Sequence, residues 1–113
     1  MSDRGRHAEE LAAAFLQQRG LTLVARNYRC RFGEIDLIAR DDATIVFVEV
    51  RLRGADRFGG AAASITAAKR TRLLRAARHY LARVRPVPAC RFDAVLVSGA
   101  DFSIEWLKNV FGE

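Results

Sequence analysis

Two short apolar stretches, Gly33-Glu34-Ile35-Asp36-Leu37-Ile38-Ala39 and Ile45-Val46-Phe47-Val48-Glu49-Val50-Arg51, carry acids where a buried strand should have none. Between them lies Asp41-Asp42-Ala43-Thr44, the composition of a hairpin tip. Centring the turn there sets Asp36 opposite Glu49, and Glu34 opposite Arg51 as a cross-strand ion pair. Carboxylates facing each other at ~5 Å repel by roughly 1 kcal/mol in water-like surroundings and by about 3 kcal/mol at an effective dielectric of about 20. A divalent cation held between them removes that cost. Alternation places Ile35, Leu37 and Ala39 on one apolar face with Val46, Val48 and Val50. The other face carries Ile38, Ile45 and Phe47 toward the tip, with Glu34, Asp36, Glu49 and Arg51 gathered at its open end.

Periodicity supplies the other elements. Ala8, Leu11, Ala12, Phe15 and Leu16 share one helical face that Gly20 closes, with residues up to Arg6 expected as a frayed end. Glu9 borders that stripe and can look along the surface the helix packs on, whereas Glu10 points to water. A strand is expected at 21–29, the hairpin strands at 33–40 and 44–52, and a loop at 54–63 around Gly59-Gly60. A second helix follows at 66–84, capped by Ser64 or Thr66 and ended by Pro86 and Pro88. Strands at 91–97 and 102–107 complete the chain. This order predicts an α/β fold of three layers, a mixed sheet of four or five strands with a helix on each face. The second helix is long enough for a right-handed crossover, which makes its flanking strands parallel neighbours. A length of 113 residues suits one domain, 1–113.

The formal charge is +6, and from Arg51 to Arg91 the only acid is Asp56. A cation-rich half joined to an acid-bearing hairpin suggests a polyanion bound beside a metal site, with an arginine-rich solvated surface as the plainer alternative. Cys30 and Cys90 form neither a Cys-x-x-Cys pair nor a disulfide framework, as expected of a reducing cytoplasm. No stretch resembles a signal peptide or reaches membrane-spanning length, so no membrane partner is expected. His7 and His79 have no metal-ligand spacing and read as surface histidines. Gly59-Gly60 lacks the Gly-Lys-Ser/Thr of a phosphate-cradling loop. Asp93 is expected to pair with a neighbouring arginine.

Phosphodiester cleavage needs a cation that neutralises developing charge and lowers the pKa of a water, and a side chain that steadies the phosphate. Asp36, Glu49 and Arg51 supply those parts, with Glu9 as a third carboxylate. An acid followed on the next strand by Glu-x-Lys marks the restriction-endonuclease-like nuclease superfamily, which includes archaeal Holliday junction resolvases. Asp36 followed by Glu49-Val50-Arg51 resembles that pattern. More closely, the chain resembles the YraN family, bacterial proteins assigned to that superfamily. The stretches that match are Ala8-Glu9 with Ala12, Gly33 to Ile38, Val46 to Arg51 with Arg53, Gly59 to Ser64 with Lys69, and Arg91-Phe92-Asp93, with Trp106 and Phe111 in the tail.

The resemblance implies a restriction-endonuclease-like α-β-α core and a Mg2+ (or Mn2+) dependent endonuclease. Its substrate would be DNA, branched or damaged, in repair or recombination. Glu9, Asp36 and Glu49 would be the metal-side acids, and Arg51 stands at the superfamily's lysine position. Nucleic-acid contact is expected chiefly from Arg51, Arg53, Lys69 and Arg72. Junction-cutting relatives act as dimers, because two symmetric nicks need two sites; a homodimer is therefore open, although the residues alone mark no interface. The departure is Arg51, whose guanidinium stays charged and cannot act as a base. Lys69 is a second candidate for the ammonium. A binding module that kept the fold and lost turnover is the alternative to an enzyme, and a basic helix docking an acidic protein is a third reading.

Overall fold

The computed structural model describes residues 3–53, 66–98 and 103–111, the side chains of Asp3, Arg4, Arg53 and Phe111 excepted. Among the described residues the elements are α1 (Asp3–Gln18), β1 (Thr22–Cys30), β2 (Gly33–Asp41), β3 (Thr44–Arg53), α2 (Ala67–Leu81), β4 (Cys90–Ser98) and β5 (Ile104–Phe111). The loop expected at 54–63, its Gly59-Gly60 pair and the Ser64 cap lie outside the described residues.

The strands form one mixed sheet in the order β1-β2-β3-β4-β5. β3 and β4 run parallel, from Ile45↔Cys90 to Arg53↔Ser98, and the other neighbours are antiparallel. A parallel pair needs a crossover, and α2 lies between its two strands in sequence, as predicted. The hairpin register also holds at the tip, where Leu37↔Val48, Ile38↔Phe47 and Asp41↔Thr44 pair.

A helix packs on each face. Ala8, Ala12, Ala13 and Leu16 of α1 cover Leu37, Ala39, Val46, Val48, Val95 and Val97. Three alanines in that stripe let the helix backbone approach the valines closely. On the opposite face Leu73, Ala76, Ala77 and Leu81 of α2 cover Ile35, Ile38, Ile45, Phe47 and Phe92, with the Phe47 and Phe92 rings stacked at 5.3 Å. Each fully buried Val, Leu, Ile or Phe contributes roughly 1.5–3 kcal/mol, so these two layers hold the sheet between the helices.

The element ends have local causes. Gly20, at φ 98, takes the left-handed turn after α1, where Leu21 N–H donates to Leu16 O at 3.1 Å. Thr66 caps α2, its Oγ1 accepting from Lys69 N–H at 3.1 Å. α1 begins at Asp3 rather than after a frayed segment up to Arg6, because polar residues at 3–7 leave no apolar periodicity by which to read a helix start. α2 stops at Leu81, and residues 82–84 form a tighter turn in which Val84 N–H donates to Leu81 O at 3.0 Å. β5 runs on to Phe111 because Asn109, at φ 56, absorbs an irregularity in its pairing with β4. No described helix is long and apolar enough to cross a membrane.

Candidate functional site

The hairpin ladder ends at Leu37↔Val48, and Asp36 and Glu49 are not paired across it. The cause is a turnover of β1 and β2. Leu37 faces α1 but Ile35, two residues before it, faces α2, and on β1 Ala25 and Tyr28, three residues apart, both face α2. Both strands therefore exchange faces between these positions. The β1–β2 pairing runs from Arg26↔Leu37 to Tyr28↔Ile35 without an Asn27–Asp36 pair. Asn27 is in the left-handed region at φ 50, which asparagine tolerates better than most residues. Asp36, freed from the ladder, turns its carboxylate to β3, where Val50 N–H donates to Asp36 Oδ2 at 2.8 Å.

This corrects the expected face pattern. Ile35 does not line up with Leu37 and Ala39, and the acids do not share one face. Glu9, Glu34 and Asp36 meet on the α1 side. The Asn27 amide, oriented with its nitrogen toward the acids, donates to Glu34 Oε2 at 2.9 Å and Glu9 Oε1 at 3.1 Å. Glu9 and Asp36 lie close enough to act on each other's ionisation. Glu49 instead reaches the α2 side, where Lys69 Nζ lies 2.6 Å and Arg51 Nε 3.5 Å from its Oε2. The Glu34–Arg51 pair is also overturned: the parted strands leave Glu34 opposite Arg29 on β1, whose Nε is 3.4 Å from Glu34 Oε2.

The acids still act on one another across the gap. Burial first, then the Glu49 carboxylate, push Asp36 up to about 7, with Glu9 and Glu34 adding to the push and Val50 N–H opposing it. Glu9, only 8% exposed, is raised by burial and then by Glu34, while the hydrogen bonds from Asn27 and with Asp36 pull the other way. Glu49 is 6% exposed and balanced by its two cations.

The donor chemistry fits a hard divalent ion. The oxygens are all carboxylate, and the charge that Asp36 resists carrying is what such an ion would compensate. Glu9 and Asp36 are in contact, whereas Glu49 is engaged by Lys69. Among the described residues no three His, Cys, Asp or Glu side chains stand at metal-chelating spacing.

Of the expected phosphate contacts, Lys69 is partly exposed at the mouth between the parted strands, Arg51 is one-third exposed, and Arg72 is exposed on the next turn of α2. The Arg53 side chain lies outside the described residues. Asp93 pairs with Arg91 as expected, at 3.1 Å, but its role is structural. It is 1% exposed and also accepts from Trp106 Nε1 and Asn109 N–H, each at 2.9 Å. Those bonds fasten β5 to β4, and Arg91 reaches on to Asp41 Oδ2 at 3.1 Å. Sequence reasoning missed Asn27, whose signal was an asparagine in mid-strand. It also missed that His79 is half-buried, its Nδ1 hydrogen-bonded to the Tyr28 hydroxyl.

Known proteins match nearly the whole chain. The model of the family described as Uncharacterised protein family UPF0102 matches residues 8–97. A UPF0102 protein of Nitrosomonas europaea is 65% identical over 112 residues, covering 98% of this chain and 95% of that protein. A UPF0102 protein of Methylobacillus flagellatus is 55% identical over 112 residues, with 98% of both chains covered. One of Ralstonia pickettii is 56% identical over 113 residues, covering 96% of this chain and 89% of the relative.

Proposed function

We propose that this chain, which belongs to the UPF0102 family, is a nucleic-acid-binding nuclease that cuts DNA with a divalent cation, Mg2+ or Mn2+. The observation that carries the reading is the parting of β2 from β3, which brings Glu9 and Asp36 to one side of a gap and Glu49 with Lys69 to the other. Resemblance to the YraN family and to the restriction-endonuclease-like superfamily adds support, as does a sheet with one helix on each face. Such an architecture by itself hosts many activities, so the site has to bear the weight.

Glu9 and Asp36 would hold the ion, joined by Glu49. When bound, such an ion neutralises charge on the phosphate and acidifies a coordinated water. The side chains do the rest. Val50 N–H fixes the Asp36 carboxylate, and Asn27 fixes Glu9. Arg51 stays charged and steadies a phosphate oxygen. Lys69, against the Glu49 carboxylate, is the one amine at the mouth among the described residues that can hand a proton to a departing oxygen. It thus takes the task for which Arg51 is unsuited.

A panel of branched, flapped, single-stranded and duplex DNA incubated with manganese tests this. Cleavage by the wild type that Glu49→Gln abolishes supports it; cleavage that persists in Glu49→Gln belongs to a contaminant and refutes it. The alternative, a binding module without turnover, is favoured by Arg51 at the superfamily's lysine position. Its mark is tight, salt-sensitive DNA binding with no cleavage of any substrate.

A further inference from the structure

A band of rings and cations leads away from the Glu49–Lys69 pair along α2 to the turn between β1 and β2. Phe32 sits in that turn, half-buried and outside all three core clusters. Its ring meets the His79 ring edge-on at 6.1 Å, and the Arg31 guanidinium lies 5.0 Å from its centroid. His79 is hydrogen-bonded to Tyr28, and the Arg83 guanidinium lies 6.0 Å from the Tyr28 ring centroid. Arg72 joins this group to the site. Its Cβ packs 3.6 Å from the point where Gly33 would carry one, and it lies one turn along α2 from Lys69. From Lys69 to His79 the helix advances about 15 Å.

Cations alone would serve any polyanion, and α2 itself carries no acid beside them. The rings narrow the choice. In a duplex each base face is covered by its neighbours, whereas an unpaired strand can lay its bases on aromatic and guanidinium planes. Phe32 stands outside both helix–sheet cores, its ring edge-on to His79, and remains partly exposed in a turn. The geometry points to a track for single-stranded nucleic acid, in which Phe32, His79 and Arg31 receive an unpaired base and Arg72 and Arg83 the phosphates beside it. The strand is thereby led toward Glu49; that it is then cut rests on the nuclease reading above, but that it binds does not.

Fluorescence anisotropy of the full chain in EDTA, with labelled oligo(dT) and a duplex of equal length, tests the track. Oligo(dT) should bind at least about tenfold more tightly than the duplex. Phe32→Leu should weaken oligo(dT) about tenfold and leave the duplex unchanged. Phe32→Trp should keep the affinity and show emission quenched by oligo(dT) beyond any change from Trp106. Arg72→Gln should lower the salt slope on oligo(dT) by about 0.7. Equal binding of duplex, an unaltered Phe32→Leu with an unquenched Phe32→Trp, or competition by polyglutamate as strong as by unlabelled oligo(dT) would each overturn the proposal. Parallel manganese cleavage assays separate the two readings. Cleavage without a single-strand preference removes the track alone; single-strand binding without cleavage removes the nuclease and leaves the track.

Discussion

Asp36→Asn is the substitution whose effect can be worked out furthest. In the unfolded chain this carboxyl loses its proton near 3.8, whereas in the folded protein it keeps it up to about 7. Across that window the folded state binds more protons than the unfolded one, so stability falls as pH rises. Below the window there is no cost, and above it the whole cost is present. At about 1.4 kcal/mol per pKa unit the loss is about 4 kcal/mol, a large share of a small domain's stability. Asparagine abolishes the titration and keeps an oxygen to accept Val50 N–H. The variant should match the wild type near pH ~4 and exceed it by about 4 kcal/mol near pH ~8. Urea denaturation followed by circular dichroism in EDTA, repeated across this range, reads the difference directly. Millimolar magnesium at the alkaline end should then stabilise the wild type and leave Asp36→Asn unmoved. A stability difference flat in pH, or a wild type that gains on the variant as pH climbs, would refute the account of the acid cluster.

Further outcomes follow from other residues. Lys69→Gln should lower manganese-dependent cleavage by about 10²–10⁴-fold, measured as initial rates on the preferred substrate, with Lys69→Arg failing to restore it. Asp93→Ala should destabilise the fold by about 3–5 kcal/mol in urea denaturation, since it strands Arg91, Trp106 Nε1 and Asn109 N–H in the interior. Glu34→Gln removes the pair with Arg29 but also the charge that crowds Glu9 and Asp36, and it keeps an oxygen for the Asn27 amide, so it should change stability by less than about 1 kcal/mol in the same assay.

Most of the fold was legible because its signals are local. Alanines and leucines at helical spacing marked α1, alternation marked the strands, and a helix between two apolar strands implied the parallel β3–β4 pair. The hairpin tip was legible too, since Asp41-Asp42-Ala43-Thr44 fixed the register there. The site was only half legible. Alternation assumes that a strand keeps its faces, and β1 and β2 exchange theirs at Asn27 and Asp36. That exchange sent Ile35 toward α2, split Asp36 from Glu49 and gave Glu34 to Arg29 instead of Arg51. The pairing of Lys69 with Glu49 depends on where α2 crosses the sheet, which no spacing along the chain encodes. The Asp93 network was foreseen only as an arginine pair, because its other two donors come from a strand thirteen and sixteen residues away.

The left-handed asparagine in β1 has a consequence for comparing members of the family. It carries no charge, yet it steers three carboxylates at once by releasing one from the ladder and tethering two others. A sequence that retained every acid but placed valine or isoleucine there would be driven toward an unbroken ladder, with Asp36 held in the strand rather than turned toward Val50 N–H. Counting carboxylates would call such a protein competent; reading its twenty-seventh position would not.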